Sequence, residues 1–155
     1  MIQGELTLVR ILGFNVDVEL PHVWIASILY GMAWWEQGGV PAKDTELVDD
    51  QIKYVARLAW KIANRVVSAG LVDREPVQAL AATCVLLSLE ADGVPLPAKN
   101  LSEWTSAWAR SPLSQVERTR RLVEERVDIA LCRQERDADN SHHHLNKHGW
   151  SSDLQ

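Results

Sequence analysis

The sequence predicts an all-α fold, a five-helix bundle in outline: five helices around one nearly apolar central helix, preceded by a short linker helix. Three observations predict it. Apolar residues recur three and four apart in segments bounded by Gly or Pro, the run 77–89 is apolar on nearly every side, and the one alternating stretch, NVDVE at 15–19, finds no partner strand elsewhere in the chain.

Leu6, Val9 and Leu12 recur at helical spacing and Gly13 is placed to stop them, which predicts a short amphipathic helix over 5–12. The alternating residues that follow are read as an extended connector. Pro21 suits a first helical turn, and Trp24, Ile25, Ile28, Leu29 and Met32 supply the apolar face of a helix ending near Gly38 and Gly39. Asp44 or Thr45 can cap the next helix, whose stripe runs Val48, Ile52, Val55, Ala59, Ile62, Ala63 and Val66 before Gly70 closes it. The central helix starts at Glu75 or Pro76 and carries Leu80, Ala81, Cys84, Val85, Leu87 and Leu89, with Ala79, Ala81 and Ala82 permitting close approach. Cys84 reads as small core filler. After the turn DGVPLP at 92–97, LSEWTSAW predicts a short helix capped by Ser102, with Trp104 and Trp108 on one face. A last helix begins near Ser111 or Pro112, its inward stripe being Val116, Val123, Val127, Ala130 and Leu131. From Arg133 the period is lost. The expected organisation is a linker helix and connector at 1–16, a helical box at 17–133 and a flexible polar tail at 134–155.

Composition narrows the class. A chain of 155 residues, 46% hydrophobic and 24% charged, has the balance of one globular domain. Asp and Glu outnumber Lys and Arg by 21 to 16, so no global field attracts a phosphate backbone, and nucleic acid is not the expected partner. Two cysteines and no apolar segment after Met1 predict neither secretion nor a disulfide framework, and a reducing intracellular compartment, nuclear or cytoplasmic, is expected. The most apolar run is interrupted by Gln78, Thr83 and Ser88 and falls short of the roughly 20 residues that cross a bilayer, so no membrane partner is expected. Seven tryptophans stand against one phenylalanine; most are expected partly buried at helix contacts, Trp60 together with Leu80, Cys84 and Leu87.

The landmarks, taken in order, resemble the second, C-terminal box of the transcription-type cyclins, nearest to cyclin Q and then to the cyclin L, K and T group. ELTLVRILGFNVDVELPHVWIASIL is similar to the passage leading into that box, with its acidic residue, spaced leucines, L-G-F triplet and P-H pair. Ala59 and Trp60 match the A-W of the following helix, Leu80 and Ala81 the I-A of the central helix, and GVPLP at 93–97 the turn after it. Trp104 and Trp108 fall where the family has aromatics four residues apart. The resemblance spans 5 to about 131. It implies a non-catalytic regulatory subunit, or a second-box fragment of one, that binds and activates a cyclin-dependent protein kinase. The alternative is a cyclin-fold adaptor of the general transcription machinery. In the family the lysine and glutamate that engage the kinase lie in the first box, before this region. The expectation follows that this chain by itself activates no kinase, and that Leu6 and Val9 belong to a seam the first box would cover.

Other chemistry is thinly represented. His142, His143, His144 and His148 are the conspicuous ligand cluster, but their segment has few apolar anchors, and they read as part of the polar tail rather than a zinc site. Asp49 and Asp50 read as first-turn carboxylates favoured by the helix dipole, and His22 as a hydrogen-bonding residue at a helix start. The RTRR run at 118–121 is flanked by Glu117, Glu124 and Glu125, which weaken its field. No phosphate loop, H-E-x-x-H or G-x-S-x-G is present. No enzyme activity, catalytic residue, metal or cofactor is expected.

Overall fold

The computed structural model describes residues 19–36, 45–96 and 98–148, with 33–36, 45–50 and 139–148 as backbone alone. These residues form six α-helices: α1 (Pro21–Glu36), α2 (Thr45–Ser68), α3 (Val77–Ala91), α4 (Leu101–Trp104), α5 (Leu113–Arg126) and α6 (Ile129–His148). A 3₁₀ turn, Leu71–Asp73, precedes α3, and a π-helical turn, Thr105–Ala109, continues α4. There is no strand among the described residues. The expected linker helix with Leu6 and Val9, and most of the alternating connector, lie outside them.

Helix α3 is the axis of the fold. Every residue from Ala79 to Leu89 is buried, and α1, α2, α5, α6 and the π turn all pack against it. A helix so enclosed must satisfy its own polar side chains, and it does. Ser88 donates to the carbonyls of Cys84 at 2.7 Å and Val85 at 3.0 Å, and Thr83 donates to Val116 O across the interface with α5. Burial pushes the Cys84 thiol far up, so it remains a protonated core filler. The stripe predicted for α2 is buried at Val55, Ala59, Ile62, Ala63 and Val66.

Two glycines end helices as their backbone allows. Gly93 (φ 66°) follows α3, its N–H donating to Glu90 O at 3.1 Å while the Val94 N–H reaches back to Leu89 O at 2.9 Å, the paired bonds of a Schellman stop. Gly70 (φ 68°) does the same duty after α2. Gly31 is required for a different reason. Trp108 lies over it, and a β-carbon there would stand 2.5 Å from the ring, so the missing side chain is what lets the π turn sit against α1.

The structure departs from the sequence reading at five places. The expected single last helix is two: α5 stops at Val127, whose backbone is extended, and α6 restarts with the Asp128 carboxylate accepting from the Leu131 N–H at 3.0 Å. That break resets the phase. Ala130 and Leu131, expected inside, are exposed, and Cys132 is buried instead. Beyond Arg133 the chain continues as helix to His148, where a flexible tail was expected from 134. Trp60 is 47% exposed rather than buried beside Leu80, because the inward stripe passes through its neighbour Ala59. The cap of α4 is Asn100, whose Oδ1 accepts from the Glu103 N–H at 2.8 Å, and not Ser102, which lies inside the helix. Asp49 and Asp50 fall in the second turn of α2, which begins at Thr45, too far in for the dipole argument.

Candidate partner-binding surface

The outer faces of α1 and α2 meet at a small aromatic cluster. Pro21 starts α1 and sets His22 toward α2, where its Nε2–H donates to Asn64 Oδ1 at 3.0 Å and its ring meets Trp60 edge-on, the centroids 4.5 Å apart at 61°. The two contacts fix the His22 ring. Trp60 thus stands half out of the surface on a rigid support, and Val23, the next residue after His22, is 71% exposed. Tyr30, two turns further along α1, is 68% exposed, and Leu20 just before the helix is 38% exposed. An aromatic and apolar group of this kind, held on packed helices, is the make-up of the centre of a protein–protein contact.

A second aromatic, Trp24, faces the other flank of α1. Its indole N–H donates to Glu19 Oε1 at 2.9 Å, and the Arg110 guanidinium lies over its ring, 6.0 Å from the centroid. Trp104, at the end of α4, is wholly buried, its indole N–H without a hydrogen-bond partner.

The most buried acid of the described residues is Glu75, just ahead of α3. Its carboxylate accepts from Gln115 at 2.6 Å and Thr119 at 3.0 Å and lies 3.3 Å from the Arg118 guanidinium. All three partners are on α5, so this carboxylate fastens α5 beside the start of α3. It is a tie between elements, with both of its oxygens engaged. Arg118 and Arg120 of the RTRR run are likewise engaged, Arg120 with both oxygens of Glu90 at 2.8 Å and with Glu124 at 2.9 Å. Burial pulls the Arg120 pKa down, but hydrogen bonds and charge from Glu124 and Glu90 more than offset that and raise it. Two of the three arginines of the run are thus ion-paired.

Of the residues singled out from sequence, Leu6 and Val9 lie outside the described residues, and the side chains of His142, His143, His144 and His148 are not described, although their backbone belongs to α6. His22 is placed at a helix start and hydrogen-bonded as expected. Among the described residues no three His, Cys, Asp or Glu side chains converge on a point where a metal could be held, and no helix is long and apolar enough to cross a membrane. Sequence reasoning missed Trp60 as a surface residue and Glu75 as a buried one. The signal for the first was its offset by one from Ala59; for the second there was little, since an acid beside Pro76 reads as an ordinary helix start.

No family model matches this chain, and neither a curated protein nor a solved structure matches it.

Proposed function

We propose that the chain is a non-catalytic, cyclin-like regulatory module, a subunit or the second box of one, that binds and helps to activate a cyclin-dependent protein kinase in the nucleus or cytoplasm. The observation that carries this reading is the burial of four of the cyclin-like landmarks, Trp60 of the A-W pair standing exposed instead. Ala59 is buried on α2, Leu80 and Ala81 are buried on α3, and Trp104 is buried in the helix that follows the GVPLP turn. A regulatory subunit of this kind works by presenting a rigid surface that favours one state of its partner, and needs no chemistry of its own. The half-exposed Trp60, braced by His22, is an exposed aromatic of the kind such a surface uses, and this supports the reading.

The test is capture of cyclin-dependent kinases by the purified chain, alone and joined to a first cyclin box, followed by a kinase assay on whatever is retained. Retention that weakens in Trp60→Ala, with activation in the joined form, is the expected result. If neither form retains a kinase while both shift promoter DNA in a salt-dependent manner, the module belongs to the transcription machinery as an adaptor and the kinase reading fails.

A further inference from the structure

Helix α1 has no charged face. The stretch from Pro21 to Trp35 contains no Asp, Glu, Lys or Arg, and the helix is as rich in apolar residues as the enclosed α3. Ile25, Ile28, Leu29 and Met32 take its inner side into the core. The outer side is Val23, Ala26, Ser27 and Tyr30, spaced three and four apart and all exposed, Val23 to 71% and Tyr30 to 68%. A helix face in water ordinarily carries charge, and a helix apolar all round is ordinarily covered. Helix α3 obeys that rule and α1 breaks it.

The exposed face has the size of a seat for one short helix. From Val23 to Tyr30 it runs about 10 Å, and the small Ala26 and Ser27 leave a saddle between the two larger side chains. Leu20, just ahead of α1 and 38% exposed, adds apolar surface at its start. Of the stretches outside the described residues, 1–18 alone carries a helical apolar stripe. Leu6, Val9 and Leu12 form it over a predicted helix about 12 Å long, whereas 37–44 offers only Val40, Pro41 and Ala42 in succession, and 149–155 only Trp150 and Leu154. Its attachment point suits the task. The residues 13–20 that join Leu12 to Pro21 reach up to about 26 Å when extended, more than the length of the face, so the helix can turn back along α1. Tethering also decides between this segment and a second copy of the chain. A short linker holds it at an effective concentration on the order of 1 mM, above that of any free copy in dilute solution.

We propose that residues 5–12 fold back as a helix onto the outer face of α1, with Leu6, Val9 and Leu12 packing against Val23, Ala26 and Tyr30. The segment is then a built-in cover, and any partner that binds this face must first displace it. The docking does not rest on the kinase reading, since both surfaces belong to one chain.

The experiment places a nitroxide on Thr7→Cys in the full ¹⁵N-labelled chain. Cys84 and Cys132 are buried, so the label goes to position 7, which lies off the apolar stripe. The expected result is loss of amide intensity at Val23, Ala26, Ser27 and Tyr30 relative to the reduced nitroxide, while the amides of α5 keep theirs. A mixture of nitroxide-bearing ¹⁴N chain with unlabelled-thiol ¹⁵N chain should show no loss, because the contact is within one molecule. Adding Leu6→Asp and Val9→Asp to the labelled chain should restore the intensities without altering the amide spectrum of α3. Val23→Ser, at a residue already mostly in water, should weaken the effect without risk to the core. Loss confined to the mixed sample assigns the face to a second copy and overturns the proposal. So does the absence of loss in either sample, or loss that persists unchanged in both the double aspartate variant and Val23→Ser.

Discussion

Helices α3 and α6 are both docked on the bundle, but by different physics. From Ala79 to Leu89, α3 is buried on every side, and its attachment is apolar contact. Helix α6 is polar over most of its length, and between Ile129 and Ala138 only Cys132 and Arg136 are buried, four residues apart on one face. Arg136 brings its own counter-ion. Its Nη1 donates to Asp92 Oδ2 at 2.5 Å, it reaches Asp137 as well, and its guanidinium lies over the Tyr54 ring at 5.5 Å. Burial alone lowers its pKa, yet the hydrogen bonds to Asp92 and Asp137 outweigh this and hold it charged. A polar sequence can thus dock a helix when one buried charge meets a partner at the end of another helix, here just after α3.

The largest expected effect lies on the apolar side of the comparison. Leu80→Ala removes a fully buried side chain from the first turn of α3 and should cost about 2–5 kcal/mol in denaturant unfolding. A loss under about half a kcal/mol would mean that α3 is not the packed axis. Next comes Arg136→Met, which keeps the packing of the stem but leaves Asp92, 11% exposed, with only Arg133 at 3.9 Å. The expected cost is about 2–3 kcal/mol, below the 3–5 of a fully enclosed pair because Asp92 keeps some water. Adding Asp92→Asn should recover part of it, since the stranded charge is gone. Amide exchange should speed up along 129–138 in the single variant and stay slow in α3. If both helices loosen together, the two attachments are not separable.

Trp60→Ala tests the surface at the junction of α1 and α2. About half of the ring is already in water, so stability should fall by only about 1–2 kcal/mol, less than for Leu80. Partner capture should suffer more, by tenfold or greater, if Trp60 is an anchor of the contact. Equal, small effects on both would remove this face from consideration.

What could be read from the sequence follows the same division. Helices held by apolar stripes were legible, because the spacing of Val55, Ala59, Ile62, Ala63 and Val66 is itself the packing instruction. The continuation of α6 past Arg133 was not, because its docking rests on Arg136 finding Asp92, 44 residues away in sequence, and no local period encodes that meeting. The break before α6 had a visible signal in Asp128, a capping residue, but it was outweighed by a stripe that seemed to run on through Val127 to Leu131. The surface candidates fared similarly. His22 was placeable from its neighbour Pro21, whereas the π turn after α4 and the left-handed Arg110 that ends it are not anticipated by periodicity.

The smallest expected effect sharpens the comparison most, because it concerns the residue next to Arg136. Glu135 also pairs across elements, accepting from Arg65 of α2 at 2.6 Å, yet their side chains are 37% and 49% exposed. A pair in that setting gains little, since water screens the attraction and two long side chains must be ordered to make it. Glu135→Ala should therefore cost no more than about 1 kcal/mol. Salt separates the two neighbours further. At about 1 M salt the screening length falls to about 3 Å, so the Glu135→Ala penalty should vanish, while the Arg136→Met penalty, rooted in a desolvated carboxylate, should persist. Unfolding titrations of both variants at low and high salt make the measurement. Equal salt sensitivity at 135 and 136 would show that the Arg136 pair behaves as a surface pair, and that α6 is held by its apolar contacts at Cys132 and Ile129 instead.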